Sequence, residues 1–241
     1  MNGWIDLHCH YVPGIDDGAN SAEDGLAMLR GLASLGFSRV LATPHTRPGM
    51  FDNTRATISA AFERFVAGLP AGESLPALEL SSEHYFDEIV FQRLLTGQAL
   101  PYPGEKAVLL EFYQIDFPPM IQHRLFDLRN RGLLPVIAHP ERYQCLWRTP
   151  DTLEQLVDSG AAALLDVAAL IGKYGRKTQE CAELLLERGL YHAACSDAHR
   201  PADVAEVARG IERLRELYGD EEAAFLFQEG PQSLLAGILP E

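Results

Sequence analysis

Seven short apolar runs alternate with helix-patterned stretches along the chain, and this alternation constrains the fold more than any other feature. The runs are WIDLHCH, FSRVLATPH, ALELSSEHY, AVLLEFY, LLPVIAHP, AALLDVA and LYHAACSDAH. Several are almost continuously apolar, as strands covered on both faces usually are. The amphipathic stretches between and after them span residues 21–34, 53–69, 87–96, 119–131, 150–159, 177–188 and 202–218.

Alternation of this kind predicts an α/β fold with parallel strands joined by right-handed crossovers. Seven strand–helix units in 241 residues fit a closed or nearly closed β/α barrel, with an open doubly wound sheet as the alternative. The chain has no low-complexity linker and no repeat of fixed period. We therefore expect one domain over residues 1–241.

The composition excludes several classes of protein. The formal net charge is −14 and no basic cluster occurs, whereas a nucleic-acid-binding protein needs a face rich in lysine and arginine. No apolar run is long enough to span a bilayer. The N-terminal sequence MNGWIDLHCH lacks the basic start and apolar core of a secretory signal. We expect a cytoplasmic protein with no nucleic-acid partner and no membrane insertion.

The four cysteines are predicted to be free thiols. Cys9, Cys145, Cys181 and Cys195 show no C-x-x-C spacing, and a chain of this size in a reducing compartment needs no disulfide framework. The segment CSDAHR places an arginine five residues after Cys195, a feature that also suggests a cysteine phosphatase. It lacks the glycine-bearing cradle of backbone amides that such an enzyme needs, so a nucleophilic role for Cys195 is disfavoured.

Nearly every predicted strand ends in a side chain that can bind a metal ion. Functional residues of β/α barrels cluster at these carboxyl ends, and five of the eight histidines fall there. One of the adjacent acids Asp16 and Asp17 is expected only to shape a turn. The candidate ligands are His8, His10, Asp17, His45, Glu83, Glu111, His139, Asp197 and His199.

Nine such groups at one rim are hard to bury without cations, because unpaired charges lose several kcal/mol of hydration each. Imidazole and carboxylate together suit zinc, manganese or iron better than calcium or magnesium. Three divalent ions would bring six positive charges against the four carboxylates of Asp17, Glu83, Glu111 and Asp197. The site would then attract an anion, which favours a phosphate ester as substrate.

The order of these motifs resembles that of the PHP (polymerase and histidinol phosphatase) superfamily over the whole chain. The matching residues are HCH, TPH, two separate glutamates, AHPERY and SDAH. More narrowly, PGIDDGA, TPH-x-x-x-GMF and HPERY resemble the bacterial tyrosine-protein phosphatases of capsule and exopolysaccharide gene clusters. The resemblance implies a distorted (β/α)7 TIM-like barrel with a trinuclear metal site.

The resemblance also distributes the ligands among the ions. The implied sets are His8, His10, Glu83 and Asp197 for one ion, a bridging Glu83 with Glu111 and His139 for a second, and Asp17, His45 and His199 for a third. Bridging ions lower the pKa of bound water, so the implied nucleophile is a metal-bridged hydroxide. We expect two or three divalent transition metal ions, manganese first, with iron or zinc as alternatives.

Two arginines are implied to bind the substrate phosphate, Arg142 in HPERY and Arg47 after TPH. The sequence departs from its relatives at two points, because Arg200 follows SDAH directly and Asp166 stands where relatives tend to have a neutral amide. The roles of Asp166, Arg200 and Asp16 stay open.

The resemblance implies a phosphotyrosine protein as substrate, with a bacterial tyrosine autokinase of polysaccharide export as the expected partner. Rim loops set substrate choice, so a small-molecule phosphatase acting on histidinol phosphate or a nucleotide is the alternative enzyme. A non-catalytic metal-binding module is a third hypothesis, which the complete set of nine candidate ligands disfavours. An oligomer is compatible with the sequence.

Overall fold

Nine strands form two parallel sheets in the computed structural model, which describes residues 3–240. The strands are β1 (Trp4–Cys9), β2 (Phe37–Ala42), β3 (His45–Thr46), β4 (Ala77–Leu80), β5 (Glu83–Tyr85), β6 (Ala107–Glu111), β7 (Leu134–Ala138), β8 (Ala162–Asp166) and β9 (Ala193–Cys195). The sheet orders are β1-β2-β4 and β3-β5-β6-β7-β8-β9. All neighbouring pairs are parallel, which confirms the predicted α/β fold.

Each of the seven apolar runs contains a strand, but the second and third runs are each broken into two. The second breaks at Thr43 and Pro44, between β2 and β3, and proline has no N–H to give to a ladder. The third breaks at Ser81 and Ser82, between β4 and β5. Both runs thus continue from the first sheet into the second, which distorts the barrel and pairs His45 with Glu83 across β3 and β5.

All seven amphipathic stretches contain helices. They are α1 (Ala22–Ser34), α2 (Arg55–Ala67), α3 (Glu88–Leu95), α4 (Ile121–Asn130), α5 (Asp151–Asp158), α6 (Arg176–Glu187) and α7 (Asp203–Ala224). The Ser21 hydroxyl caps α1 by accepting the Asp24 N–H at 3.2 Å, as its sequence predicts. Helix α7 runs past its predicted end, through a kink at Gly219, into a π-helical turn at 225–229 and a last helix α8 (Gly230–Leu235).

Alternate residues of the strands enter two apolar clusters. Leu109 and Val136 belong to a smaller cluster built mainly from strand residues, which Leu234 of α8 joins. Their neighbours Leu110 and Ile137 belong to a larger cluster that includes the apolar faces of the helices. The strands are therefore covered on both faces, which explains their continuous apolar sequences.

Strand β1 also lies against the segment that follows β9, and this brings the first and last strands together. Cys9 makes a parallel bridge with Ala198, and the Asp197 N–H donates to the His8 carbonyl at 2.9 Å. The sequence motifs at the two ends of the chain consequently share one rim. Within residues 3–240, no helix is both long enough and apolar enough to cross a membrane.

Candidate metal centre

The nine predicted ligands converge at one rim of the barrel. Most lie at or just after the end of a strand, and His45 and Glu83 begin the short strands β3 and β5. All nine belong to groups whose possible ligand atoms lie within 4.8 Å of one another. The groups are His10, Asp17, His45 and His199; His8, His10 and Asp197; His8, Glu83 and His139; and His45, Glu83 and Glu111. The fold thus brings together every residue singled out at the strand ends.

Glu83 is the carboxylate that the histidines share. It begins β5 and is 1% exposed. Its Oε2 atom lies 3.2 Å from His8 Nε2 and 2.9 Å from His45 Nδ1. Its Oε1 atom lies 2.9 Å from His139 Nε2. A carboxylate placed between imidazoles on both oxygens has the geometry that a bridging ligand needs.

Three buried residues, His8 in β1, His10 just after it and Asp197, form an inner part of the centre. The Nε2 atoms of His8 and His10 lie 3.0 Å apart, and Asp197 Oδ1 lies 3.2 Å and 3.5 Å from them. Asp6, two residues before His8, points to the main chain after β9, where its Oδ1 accepts the Ser196 N–H at 3.0 Å. It therefore supports the strand ends, while His8 and His10 face the candidate metal position.

An outer group lies nearer to solvent. Asp17 Oδ1 is 3.4 Å from His45 Nε2 and 3.6 Å from His199 Nε2, and the Asp17 side chain is 58% exposed. His45 reaches inward as well, because its Nδ1 lies 3.7 Å from Glu111 Oε2. This pairing differs from the implied set in which Glu111 joins His139, and the assignment of residues to individual ions stays a prediction.

The ionisation of this cluster shows how strongly its charges depend on one another. Burial would raise the pKa of Glu83, but His8 and His45 hold it well below its ordinary value. Burial would lower the pKa of His45, yet Glu83 and Asp17 raise it to about 10. Burial and the neighbouring Glu83 raise the pKa of Glu111 to about 7. Divalent ions bound at this site would supply positive charge to the same carboxylates.

Six buried side-chain atoms of the candidate ligands have no hydrogen bond of acceptable geometry within the part of the chain that the structure describes. They are His8 Nδ1, His45 Nδ1, Glu83 Oε2, Glu111 Oε2, His139 Nδ1 and Asp197 Oδ1. Buried polar atoms are rarely left unpaired, because each costs about 1–3 kcal/mol. Four of these atoms, His45 Nδ1, Glu83 Oε2, Glu111 Oε2 and Asp197 Oδ1, lie within the centre. Imidazole and carboxylate donors of this kind fit divalent transition metal ions.

Two of the candidate ligands have a strained backbone. His139 and Asp197 adopt φ angles of 34° and 43°, in the left-handed region that non-glycine residues seldom occupy. Such conformations cost on the order of 1–3 kcal/mol each and concentrate at functional sites. His139 directly follows β7 and Asp197 lies two residues after β9, so the unusual backbone turns each side chain toward the rim.

Asp16 is a site residue whose role the sequence left open. Its Oδ2 lies 2.8 Å from His10 Nδ1 and accepts the His45 N–H at 3.0 Å. Its Oδ1 accepts the Gly18 N–H at 2.9 Å. Asp16 therefore both shapes the turn and orients two candidate ligands, as partners of metal-binding histidines commonly do. In the sequence, this role is indicated only by the position of Asp16 beside the candidate ligand Asp17.

Arg142 lies in a polar cage at the edge of the centre. Its guanidinium pairs with the buried carboxylates of Asp166 and Asp197 and stacks on Tyr174, 3.9 Å from the ring centroid. Asp166 also accepts the Ala168 N–H at 2.9 Å. The charged residue at the end of β8 thus balances an arginine. Arg200, in contrast, is exposed.

The second predicted phosphate-binding arginine lies on another side of the centre. The Arg47 guanidinium is centred 4.0 Å from the Tyr85 ring centroid, one residue after the short strand β3 that His45 begins. It borders a cavity that Glu111 also lines. The phosphate-binding role of either arginine stays a prediction.

The remaining histidines and the cysteines lie outside the cluster. His84 is buried with its Nδ1 3.0 Å from the Leu109 carbonyl, and His123 is exposed on α4. All four cysteines are free, as predicted. Burial raises the pKa of the Cys195 thiol well above its ordinary value, which opposes formation of the thiolate that a cysteine nucleophile requires.

A distorted parallel β/α barrel with a buried imidazole and carboxylate cluster at its strand ends defines a PHP-type barrel protein. The fold alone is shared with the Escherichia coli phosphotriesterase homology protein, at a TM-score of 0.57 and 12% identity. The chain belongs to the CpsB/CapC family of capsular polysaccharide synthesis, whose family model matches residues 4–236.

Similar proteins in this family are named tyrosine-protein phosphatases. The chain is 33% identical to YwqE of Bacillus subtilis over 81% of this chain and 77% of that protein. It is 27% identical to CpsB of Streptococcus agalactiae over 96% and 98% of the two chains. A crystal structure from a study of Bacillus subtilis YwqE and Streptococcus pneumoniae CpsB, described as unique metal-dependent tyrosine phosphatases, matches at a TM-score of 0.89. This match has 30% identity and covers 97% of this chain and 95% of the other.

Proposed function

We propose that this chain is a metal-dependent protein tyrosine phosphatase that regulates capsule or exopolysaccharide synthesis. The observation that carries the proposal is the set of buried imidazole and carboxylate atoms at the strand ends that have no hydrogen bond within residues 3–240. The names of the similar proteins agree with it.

The residues that we propose as metal ligands are His8, His10, Asp17, His45, Glu83, Glu111, His139, Asp197 and His199. Two or three divalent ions fit this number of donors, and we propose manganese, with iron or zinc as alternatives. When bound, such ions supply Lewis-acid activation of water and neutralise charge on phosphate oxygens.

The chain's own residues position the substrate around that centre. Arg142 offers a planar set of donors that can hold two phosphate oxygens, and Asp166 and Tyr174 fix its orientation. Arg47 is proposed to bind the phosphate from the side of Tyr85. The phenol of the tyrosine leaving group has a pKa of about 10, so a strong general acid is less necessary than for an alkyl ester.

We propose that the substrate is a phosphotyrosine protein, namely a bacterial tyrosine autokinase of polysaccharide export. We also propose that one domain over residues 1–241 acts in the cytoplasm. The four unpaired cysteines are in keeping with a reducing compartment.

A hydrolysis screen on the metal-replete protein tests the proposal. We expect turnover of phosphotyrosine peptides to exceed that of phosphoserine peptides, histidinol phosphate and nucleotides. Glu83→Gln, which removes the shared carboxylate, is expected to lose bound metal and at least about a thousandfold in kcat/KM. The exposed Glu63→Gln on α2 is the matched control. Preferential hydrolysis of histidinol phosphate or a nucleotide would instead identify a small-molecule phosphatase.

A further inference from the structure

A cavity of about 390 Å³ opens beside Glu111, the proposed ligand at the end of β6. This volume is within the range of small-ligand pockets. Residues that border it include Arg47, Tyr85, Glu111, Tyr113, Ile115 and Gln144. The cavity therefore has one border in the candidate metal centre and the others in residues with no part in metal binding.

One wall of the cavity is formed by Arg47 stacked on Tyr85. A tight turn fixes the Arg47 backbone, because its N–H donates to the Phe51 carbonyl at 3.0 Å and the Phe51 N–H donates back at 2.8 Å. Directly after Tyr85 in the chain, the Phe86 N–H donates to the Glu111 carbonyl at 2.7 Å. The wall is thus tied both to the turn after β3 and to the strand that supplies Glu111.

A second part of the cavity lining is the segment 112–115 that follows β6. The Phe112 N–H donates to the Tyr143 hydroxyl at 3.1 Å, and the Gln144 N–H donates to the Gln114 carbonyl at 2.7 Å. Although its backbone is anchored in this way, Tyr113 is 56% exposed and Ile115 is 52% exposed. The fold thus presents two large apolar side chains to solvent on a fixed backbone, which limits the entropy lost on binding.

We propose that this cavity binds the phenyl ring of phosphotyrosine, and that Tyr113 and Ile115 select aryl over alkyl phosphate esters. The inference rests on the proposed function. A ring in the cavity meets two of its lining residues, Tyr113 and Ile115, and aromatic contacts favour offset or edge-on packing. A phosphoserine side chain has no ring to fill the cavity, so it gains nothing from these walls.

The position of Glu111 is what connects ring binding with catalysis. Glu111 borders the cavity and also lies 3.7 Å from His45 in the candidate metal centre. A phosphate ester whose ring occupies the cavity therefore has its phosphate directed to the candidate ligands. Arg47, which lines the same cavity, supplies positive charge for the phosphate.

The test uses the metal-replete full chain and the double variant Tyr113→Ala, Ile115→Ser. We expect its kcat/KM for phosphotyrosine to fall about tenfold or more, with less than a twofold change for phosphoserine. Binding of phenylphosphonate, measured by calorimetry, is expected to weaken to a similar extent, while methylphosphonate binding is unchanged. Tyr113→Phe keeps the ring, so it is expected to lose less kcat/KM for phosphotyrosine than Tyr113→Ala. Tyr218→Ala removes a partly exposed tyrosine of α7 and serves as the control.

Equal losses for the aryl and alkyl compounds, or no loss for either, would overturn the assignment of the cavity. A wild-type protein that hydrolyses no phosphate ester would refute the proposed function instead. In that case the binding of phenylphosphonate relative to methylphosphonate, with and without the substitutions, still decides what the cavity binds.

Discussion

At the scale of single residues, the site combines groups that bind ions with groups that hold those ligands in place. Asp16 orients His10 and the His45 backbone, and Asp166 holds Arg142. Arg142 also pairs with Asp197, a proposed ligand, so it links the phosphate-binding side of the site to the metal-binding side.

Arg142 is expected to contribute to turnover without holding metal. We predict that Arg142→Ala lowers kcat/KM for phosphotyrosine by about a hundredfold, or ~3 kcal/mol, at unchanged metal content. Arg142→Lys is expected to recover only part of the loss, because lysine lacks the planar fork of donors. The exposed Arg176→Ala is the control. Kinetics close to wild type for Arg142→Ala would confine Arg142 to the structural pair with Asp166.

The buried cysteines are expected to be dispensable for turnover. Cys195 is fully buried and its thiol lies 3.3 Å from the Leu165 carbonyl, which a serine hydroxyl can also approach. We predict that Cys195→Ser keeps most of the kcat of the wild type. A loss of about a thousandfold, with fold and metal content intact, would point to a thiolate nucleophile.

At the scale of elements, the sequence patterns predict the strands and helices better than the breaks between them. Apolar runs and amphipathic periods located seven strand regions and seven helices, and histidine and acid placement located the rim. The interruption at Ser81 and Ser82 has no proline or glycine signal. The π-helical turn at 225–229 and the residue pairs within the metal centre depend on contacts between distant segments, which local periodicity does not encode.

His192 ties β8 to the start of β9 and is predicted to make stability depend on pH. Its Nδ1 accepts the Ala163 N–H at 3.2 Å, and burial lowers its pKa to about 4. The unfolded chain has a histidine pKa of about 6.5, so between pH 6.5 and pH 4 it binds more protons at this residue than the folded chain does. The free energy of unfolding should therefore fall as pH falls through this window, by on the order of 3 kcal/mol from this residue.

Denaturant titrations at several pH values measure this effect. His192→Asn keeps an acceptor but cannot take up the proton, so we expect a shallower decline between pH 6.5 and pH 4 than in the wild type. His123→Asn, at an exposed position on α4, is expected to leave the slope unchanged. Parallel curves for wild type and His192→Asn would contradict the prediction.

At the scale of the whole molecule, a strongly acidic chain is proposed to bind an anionic substrate. The net charge of −14 opposes long-range attraction of phosphate, so binding must come from local positive charge at the rim. The barrel creates a site for this positive charge by bringing the motifs at the ends of β1 and β9 to one rim. Bound divalent ions, with Arg142 and Arg47, would reverse the sign of the local field.

The most direct test measures bound metal and phosphotyrosine hydrolysis on the same sample, before chelation, after chelation and after metal is restored. We predict two or three transition metal ions per chain in the active protein, an almost complete loss of hydrolysis when they are removed, and recovery when they return. Phosphotyrosine hydrolysis at the full rate by protein that elemental analysis shows to be free of metal would contradict the proposed function.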